Sequence, residues 1–478
     1  MNLKQQYYIF LIPIVLIFLL SFFYKEKPAN EDVSITVSLD NKDDAYSFTS
    51  LIGGNIAHSG EKMGVWPDSV FRVLKHTGIR HFRLHDTKSL DWDIIFPDWD
   101  ADPHLPENYS FEDSDRIISY MVENGFVPFI RLGVSVSAKR NNREVGLCPP
   151  DPKKWTIIVT KIMEHYMEGW ADGYHYPIEY VEIWNEPDLG FWTGSPDEFY
   201  ELSYSALTNL KEKFPELKVG LCGISNIRKN KTFAEGLLSY LSDPNQNGKD
   251  EDKVEIDFFS WHVYEIKRGV SIFKEFTLLV QDLLDKYGYG DVESICTEWN
   301  ADLPSEYINS KAAAVDVGMT LLWAEEFGLD GLFFYPLIDD WGMFVPNKSK
   351  SSDNVTYLSH THVADVHKMF DNFKLVTSYL LKSSVKTSGD NVQILAAVSE
   401  DNDVLQTMVA HQFDQVRPLK LKVESCTKKK AKYTILDVDN GAEKVREEGI
   451  VDVLANGIVR LEIDMHSQDV FVVKLEFF

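Results

Sequence analysis

Cysteine is scarce in this chain. Its 478 residues hold four, Cys148, Cys222, Cys296 and Cys426, widely spaced and without a CxxC pair. That argues against metal or redox use and leaves Cys222 and Cys296, in apolar strand-like runs, as small buried hydrophobes. No metal and no cofactor is expected. Positive charge is also short, 48 Lys and Arg against 74 Asp and Glu, a formal net charge of -26. A phosphate backbone wants a basic footprint, so nucleic acid is excluded as a partner and a polyanionic substrate is disfavoured. Internal repeats are missing too, which sets solenoids and propellers aside.

Apolar residues, by contrast, make up 44% of the chain, enough for the cores of two domains. The N-terminus carries a run of its own, "YYIFLIPIVLIFLLSFFY" from Tyr7 to Tyr24, bracketed by Lys4, Lys25 and Lys27. Its length can span a bilayer, and no small-x-small cleavage site follows directly. Residues 1–30 are therefore expected to form an uncleaved signal anchor, with the rest of the protein attached to the membrane or secreted, outside the cytoplasm. The lysines on its two flanks do not decide its orientation. Sequons beginning at Asn108, Asn230, Asn347 and Asn354 are compatible with a glycosylated lumenal chain.

Beyond the anchor, short strands alternate with amphipathic helices. "SLIGGNIA", "IRHFRLHD", "FVPFIRLG", "IEYVEIWNE", "LKVGLCG", "EIDFFSWHVY", "VESICTEWN" and "DGLFFYPLIDD" are eight strand candidates. Between them, "PDEFYELSYSALTNLKEKF" places Phe199, Leu202, Ala206 and Leu210 on one face, with Pro196 and Asp197 at its start. Eight βα units in succession predict a (β/α)8 TIM barrel over residues 49–386, closed by a helix near His362 to Leu381. From about Thr387 strands follow one another without helices. In "VRLEIDM", Val459, Leu461, Ile463 and Met465 alternate with polar residues, as in a half-buried antiparallel strand. Residues 387–478 are read as an antiparallel β-sandwich, to which "DVSITVSL" within residues 31–48 adds a strand.

The chemistry sits at two strand tips. In "EIWNEPDLGFW", Val181 and Ile183 alternate with Glu182 until Pro187 removes a backbone donor and ends the ladder. Asn185 and Glu186 then stand at the C-terminal tip of the fourth barrel strand, the end that faces a barrel's active site. "SICTEWNAD" repeats the pattern and sets Glu298 at the tip of the seventh, beside Trp299 and Asn300. Across a barrel mouth two carboxylates can flank one glycosidic bond, an acid for the leaving oxygen and a carboxylate for the oxocarbenium-like centre. A lone Glu at a loop is usually an ion-pair partner; two at matching tips, each beside Asn and Trp, point to catalysis.

"WNEP" and "TEWN", in that order with "FRLHD", "DRIISYMVENGFVPFIRLG" and "VEIDFFSWHVY", resemble glycoside hydrolase family 39, the retaining β-xylosidases and α-L-iduronidases, from about Gly53 to Leu381. The resemblance implies Glu186 as general acid/base and Glu298 as nucleophile. Asn185 would reach the sugar's 2-hydroxyl, Tyr264 would hydrogen-bond the nucleophile, and His262 and His85 would line the pocket. Arg83 would hold the nucleophile ionised. The plain alternative for His262 and His85 is a satisfied core histidine, and for Arg83 a structural ion pair. His58 could also point into the pocket, while Tyr335 stands closest to a tryptophan usual on strand eight of the family's xylosidases, with Trp341 as a second aromatic. A uronate substrate would need cations such as Lys267 and Arg268, so a neutral sugar, xylose for example, and exo action are expected. The alternatives are an endo-acting glycanase, a uronate-specific glycosidase, and a non-catalytic carbohydrate-binding barrel.

Overall fold

The computed structural model describes residues 33–40, 47–57, 68–75, 77–247, 253–264, 270–301, 305–308, 310–346, 358–381, 383–386, 391–439 and 442–478. The expected anchor, His58, Lys267, Arg268 and the sequons at Asn347 and Asn354 lie outside these. Among the described residues no helix is long and apolar enough to cross a membrane.

Strand β1 (Val33–Ser38) precedes the barrel. The barrel strands are β2 (Leu51–Asn55), β3 (His81–Arg83), β4 (Val127–Leu132), β5 (Tyr180–Ile183), β6 (Lys218–Ile224), β7 (Phe258–Val263), β8 (Glu293–Trp299) and β9 (Gly331–Phe334). Each pairs in parallel with the next, and β9 closes on β2. A principal helix follows every strand, from Asp68–Lys75 after β2 to His362–Val376 after β9. The helix Pro196–Lys213 shows why these boundaries form: Ser195 and Glu198 make a capping box, Pro196 needs no amide partner, and Phe199, Leu202, Ala206 and Leu210 are wholly buried.

The barrel interior is layered. Phe129, Tyr180, Phe258, Ile295 and Phe333 form an apolar plug at the N-terminal end of the strands. Gly53 makes room for it, since a Cβ there would stand 2.3 Å from the Phe333 ring. One residue pair further along the strands the lining turns polar: Asn55 and Arg83 are neighbours in register, as are Arg131 and Glu182. Chemistry is thus confined to the C-terminal half of the barrel.

The second unit is a two-layer sandwich. Beyond a small hairpin, β10 (Phe344–Pro346) and β11 (Leu358–His360), come β12 (Tyr379–Leu381), β13 (Ser383–Lys386), β14 (Val392–Val398), β15 (Val404–His411), β16 (Arg417–Glu424), β17 (Lys430–Asp439), β18 (Ala442–Asp452), β19 (Val459–Met465) and β20 (Asp469–Phe477). They form a four-stranded sheet, β13-β1-β16-β19, and a six-stranded one, β12-β14-β15-β20-β17-β18. The expected contribution of the segment before the barrel is therefore met, β1 lying parallel to β16 in sheets whose other pairs are antiparallel. Within the six-stranded sheet β14 is buried on both faces: Ile394, Ala396 and Val398 turn to the sandwich core, Leu395 and Ala397 to the barrel's helices.

One boundary differs from expectation. The closing helix ends at Val376, and Tyr379–Leu381, expected to be helical, is a strand on Ala396–Val398. Thr377 spends its hydroxyl on the Phe373 carbonyl, which helps end the helix. Ala442–Asp452, a segment rich in charge, is the edge strand β18, where exposed charge guards against further pairing.

Candidate active site

Glu186 follows the last residues of β5 in a backbone that turns sharply. Trp184 and Glu186 both have positive φ, 71° and 43°, a left-handed conformation that non-glycine residues adopt at a cost. The surroundings hold them there. The Glu186 amide donates to the carbonyls of Cys222 and Gly223, and the Trp184 indole donates to the Phe191 carbonyl at 2.9 Å. Gly223 has to be glycine: its φ is +57°, and a Cβ would stand 2.8 Å from His262 Nε2. Asp188 ties the next turn down by accepting from Ser225 and from Asn230 Nδ2 (2.6 Å). The amide of Asn230, at one of the sequons, is thus an internal donor.

Glu298 reaches the mouth through a β-bulge. The register of β7 against β8 runs Trp261 to Cys296 and then His262 to Glu298, skipping Thr297. The extra residue breaks the alternation, so Thr297 and Glu298 both face inward. Thr297 reaches Glu182 Oε1 at 3.0 Å, and Glu298 takes Arg83 Nη1 at 2.8 Å and the Tyr264 hydroxyl at 2.5 Å.

Arg83 organises the floor. Its guanidinium donates to Glu182 (2.7 Å), Asn55 (3.0 Å), Glu298 (2.8 Å) and Asn185 (2.6 Å), and both it and Glu182 are completely buried. The ion-pair reading and the site reading of Arg83 hold together: one fork grips a structural carboxylate and a mouth carboxylate at once. Glu186, Glu298 and His262 meet above it, with closest oxygen and nitrogen atoms within 4.8 Å of one another. His262 Nδ1 lies 2.8 Å from Glu186 Oε1 and 3.6 Å from Glu298 Oε2. A cation could be held only by displacing these hydrogen bonds.

The two carboxyls are unequal. Burial raises Glu186 to about 8, Asp188 adding to it and Arg83 opposing. Burial also raises Glu298, but Arg83 and the Tyr264 hydrogen bond pull the other way. The second carboxyl is the one surrounded by donors.

Other expected residues take their places around this pair. His85 Nε2 is 3.9 Å from Glu298 Oε1 and 3.3 Å from Asp86, and its ring meets Phe191 edge-on. The Tyr335 hydroxyl donates to Asp86 at 2.8 Å, and the half-buried Trp341 ring centres 5.4 Å from Tyr335, so the two aromatics form one wall. Asn185 gives its oxygen to Arg83 while its Nδ2, fully buried, has no partner among the described residues. Sequence reading missed Glu182, Thr297, Asn55, Asp86 and Asp188. Glu182 carried a signal, a charge between Val181 and Ile183 on a strand buried on both faces.

Comparison with known proteins agrees with this geometry. Residues 39–297 match the family model described as glycosyl hydrolases family 39. A β-xylosidase of Caldicellulosiruptor saccharolyticus is 26% identical over 209 residues, 42% of this chain; the chain spans 39% of that relative's length. Among solved structures, a bacterial orthologue of human α-L-iduronidase superposes with a TM-score of 0.73 at 12% identity, over 94% of this chain and 84% of that one. A monomeric β-xylosidase from Caulobacter crescentus CB15 superposes with a TM-score of 0.68 at 15% identity, over 93% of this chain and 99% of that one. At such identities the superpositions establish a shared fold.

Proposed function

We propose that this chain, which belongs to glycosyl hydrolases family 39, is a glycosidase that cleaves a terminal neutral sugar with retention of anomeric configuration. The observation that carries the proposal is the pair Glu186 and Glu298, facing each other across the barrel mouth with closest oxygens no more than 4.8 Å apart. Retaining enzymes set their carboxyls roughly 5–5.5 Å apart, whereas inverting ones leave about 6.5–9.5 Å for a water.

In the proposed reaction Glu298 attacks the anomeric carbon while Glu186 gives its proton to the leaving oxygen, so one C–O bond forms as the other breaks. Water then attacks the same carbon, Glu298 departs as carboxylate, and Glu186 takes the water's proton. Arg83 and Tyr264 hold Glu298 in place and in charge. The unpartnered Nδ2 of Asn185 is the donor for the sugar's 2-hydroxyl, a contact that strengthens in the transition state. His85, Tyr335 and Trp341 line the sugar's other faces. His58 is proposed to join them from the segment after β2.

Neutral-sugar selectivity is supported by charge. Glu298, Asp86 and Asp188 surround the site, and the cations near them are committed: Arg83 to four acceptors, Lys139 to the Leu189 carbonyl at 2.7 Å. A uronate carboxylate would meet repulsion and no free described donor of positive charge. The name of the β-xylosidase relative from Caldicellulosiruptor saccharolyticus points the same way. A panel of aryl xyloside, arabinoside, glucoside and iduronide tests this. The expected result is that a neutral glycoside, xyloside foremost, exceeds the iduronide in kcat/KM by at least about 100-fold, the size of effect that like-charge repulsion of a few kcal/mol produces. Preference for the iduronide overturns it. The apolar run Tyr7–Tyr24 supports placing the enzyme at a membrane.

A further inference from the structure

Five side chains form a continuous hydrogen-bond chain from the barrel's buried layer to the tip of β5. Arg83 Nε and Nη2 lie 2.7 and 2.5 Å from Glu182 Oε2. The other Glu182 oxygen is 3.0 Å from Thr297 Oγ1. Thr297 Oγ1 is 3.2 Å from His262 Nε2, and His262 Nδ1 is 2.8 Å from Glu186 Oε1.

The direction of each bond follows from donor counting. Glu182, gripped by a guanidinium, offers only lone pairs, so the single hydroxyl hydrogen of Thr297 points to it. Toward His262 the Thr297 oxygen can then only accept, and Nε2 must carry the hydrogen. A neutral imidazole has one N–H, so Nδ1 meets Glu186 as a bare lone pair. That contact is a hydrogen bond only while Glu186 brings the proton.

We infer that Glu182 and Thr297 are positioning residues which set the tautomer of His262 and, through it, keep Glu186 in its proton-donor form. The inference rests on the reading of Glu186 as the acid/base. It explains why the bulge in β8 turns Thr297 inward together with Glu298. Burial lowers His262, away from an imidazolium that would donate from both nitrogens. The groups facing this pair come from every side: Asp188 beyond β5, Arg83 and Asp86 from β3 and its loop, Lys139 after β4, Tyr264 after β7, Glu298 on β8 and Tyr335 after β9. Among the described residues His262 Nε2 has no hydrogen-bond partner except Thr297. When Glu186 has given its proton to the leaving oxygen, its carboxylate faces the Nδ1 lone pair, which favours recovery of a proton from the attacking water.

The test compares Thr297→Val, which keeps the shape and removes the hydroxyl, with Thr297→Ser, which keeps the hydroxyl. In Thr297→Val the imidazole hydrogen is released to move to Nδ1, where it donates to the Glu186 carboxylate and stabilises the ionised form. The alkaline limb of kcat/KM should move to lower pH by about one unit, and Thr297→Ser should restore it. Nitrogen-15 NMR of labelled histidine reports the tautomer directly, with Nε2–H expected for His262 in the unaltered protein. A limb that stays within about 0.2 units in Thr297→Val, or an Nδ1–H tautomer in the unaltered protein, overturns the inference; the second readout stands even if the valine variant does not fold. Azide rescue of Glu186→Ala separates the two layers: if rescue fails, the acid/base reading falls, and if rescue succeeds while the limb stays fixed, only the tautomer inference falls.

Discussion

Glu298→Gln abolishes hydrolysis, with kcat/KM down by about four orders of magnitude or more, some 5.4 kcal/mol of lost transition-state stabilisation at ~1.36 kcal/mol per tenfold. The size follows from what the residue is asked to do. A neutral amide cannot form the glycosyl ester, and no other carboxylate is placed to replace it: Glu182 is fully buried beneath Arg83, and Asp86 is engaged by Tyr335. Gln matches Glu in shape, so the bulge of β8 and the packing around it stay as they are and the loss reads on chemistry. Arg83 and Tyr264 still have an amide oxygen to donate to. Residual turnover above about one per cent of the original rate would remove Glu298 from the nucleophile's role.

Glu186→Ala behaves differently, and the contrast separates the two roles. Without a proton donor, glycosides with poor leaving groups lose about 10²–10⁴-fold in kcat/KM. Aryl glycosides with good leaving groups still form the covalent intermediate, which accumulates because no base activates the water. Azide, entering the space the side chain vacates, should restore turnover and give a glycosyl azide of the substrate's configuration. Rescue of Glu298→Ala in place of Glu186→Ala would mean the roles are reversed. The pH profile offers the matching sign. Burial, with Asp188 beside it, holds Glu186 at about 8, so the active, protonated form dominates at neutral pH and kcat/KM falls as pH rises through that value. The limb should be absent from Glu186→Ala.

Desolvation comes first among the causes of that raised value and Asp188 second. Asp188 is two residues along from Glu186, yet nothing in "NEPD" shows that the turn folds it back beneath Ser225 and Asn230. The eight strands, by contrast, were legible because apolar runs of strand length end in Gly, Pro or Asn at most tips, and Pro187 ends the most informative of them. The mouth residues were legible for the same reason: a tip has a known direction in a barrel.

The buried polar layer was not legible. Glu182 sits at an alternating polar position that on an antiparallel strand would face water, and only closure of the barrel turns that position inward. Thr297 was hidden by the bulge, since a strict period of two cannot send neighbours to the same side. The edge strand Ala442–Asp452 was hidden by its charge, and the early end of the helix at Val376 by a run, "NFKLVTSYLL", apolar enough for either structure. In each instance local pattern and tertiary placement disagree, and placement decides.

The central claim is a double displacement between Glu186 and Glu298, and the anomeric configuration of the first-formed sugar tests it most directly. Proton NMR recorded within the first turnovers, before mutarotation, should show the free sugar with the configuration it had in the substrate. A first product of inverted configuration would contradict the account, because it requires water to attack directly from the face that Glu298 is proposed to occupy.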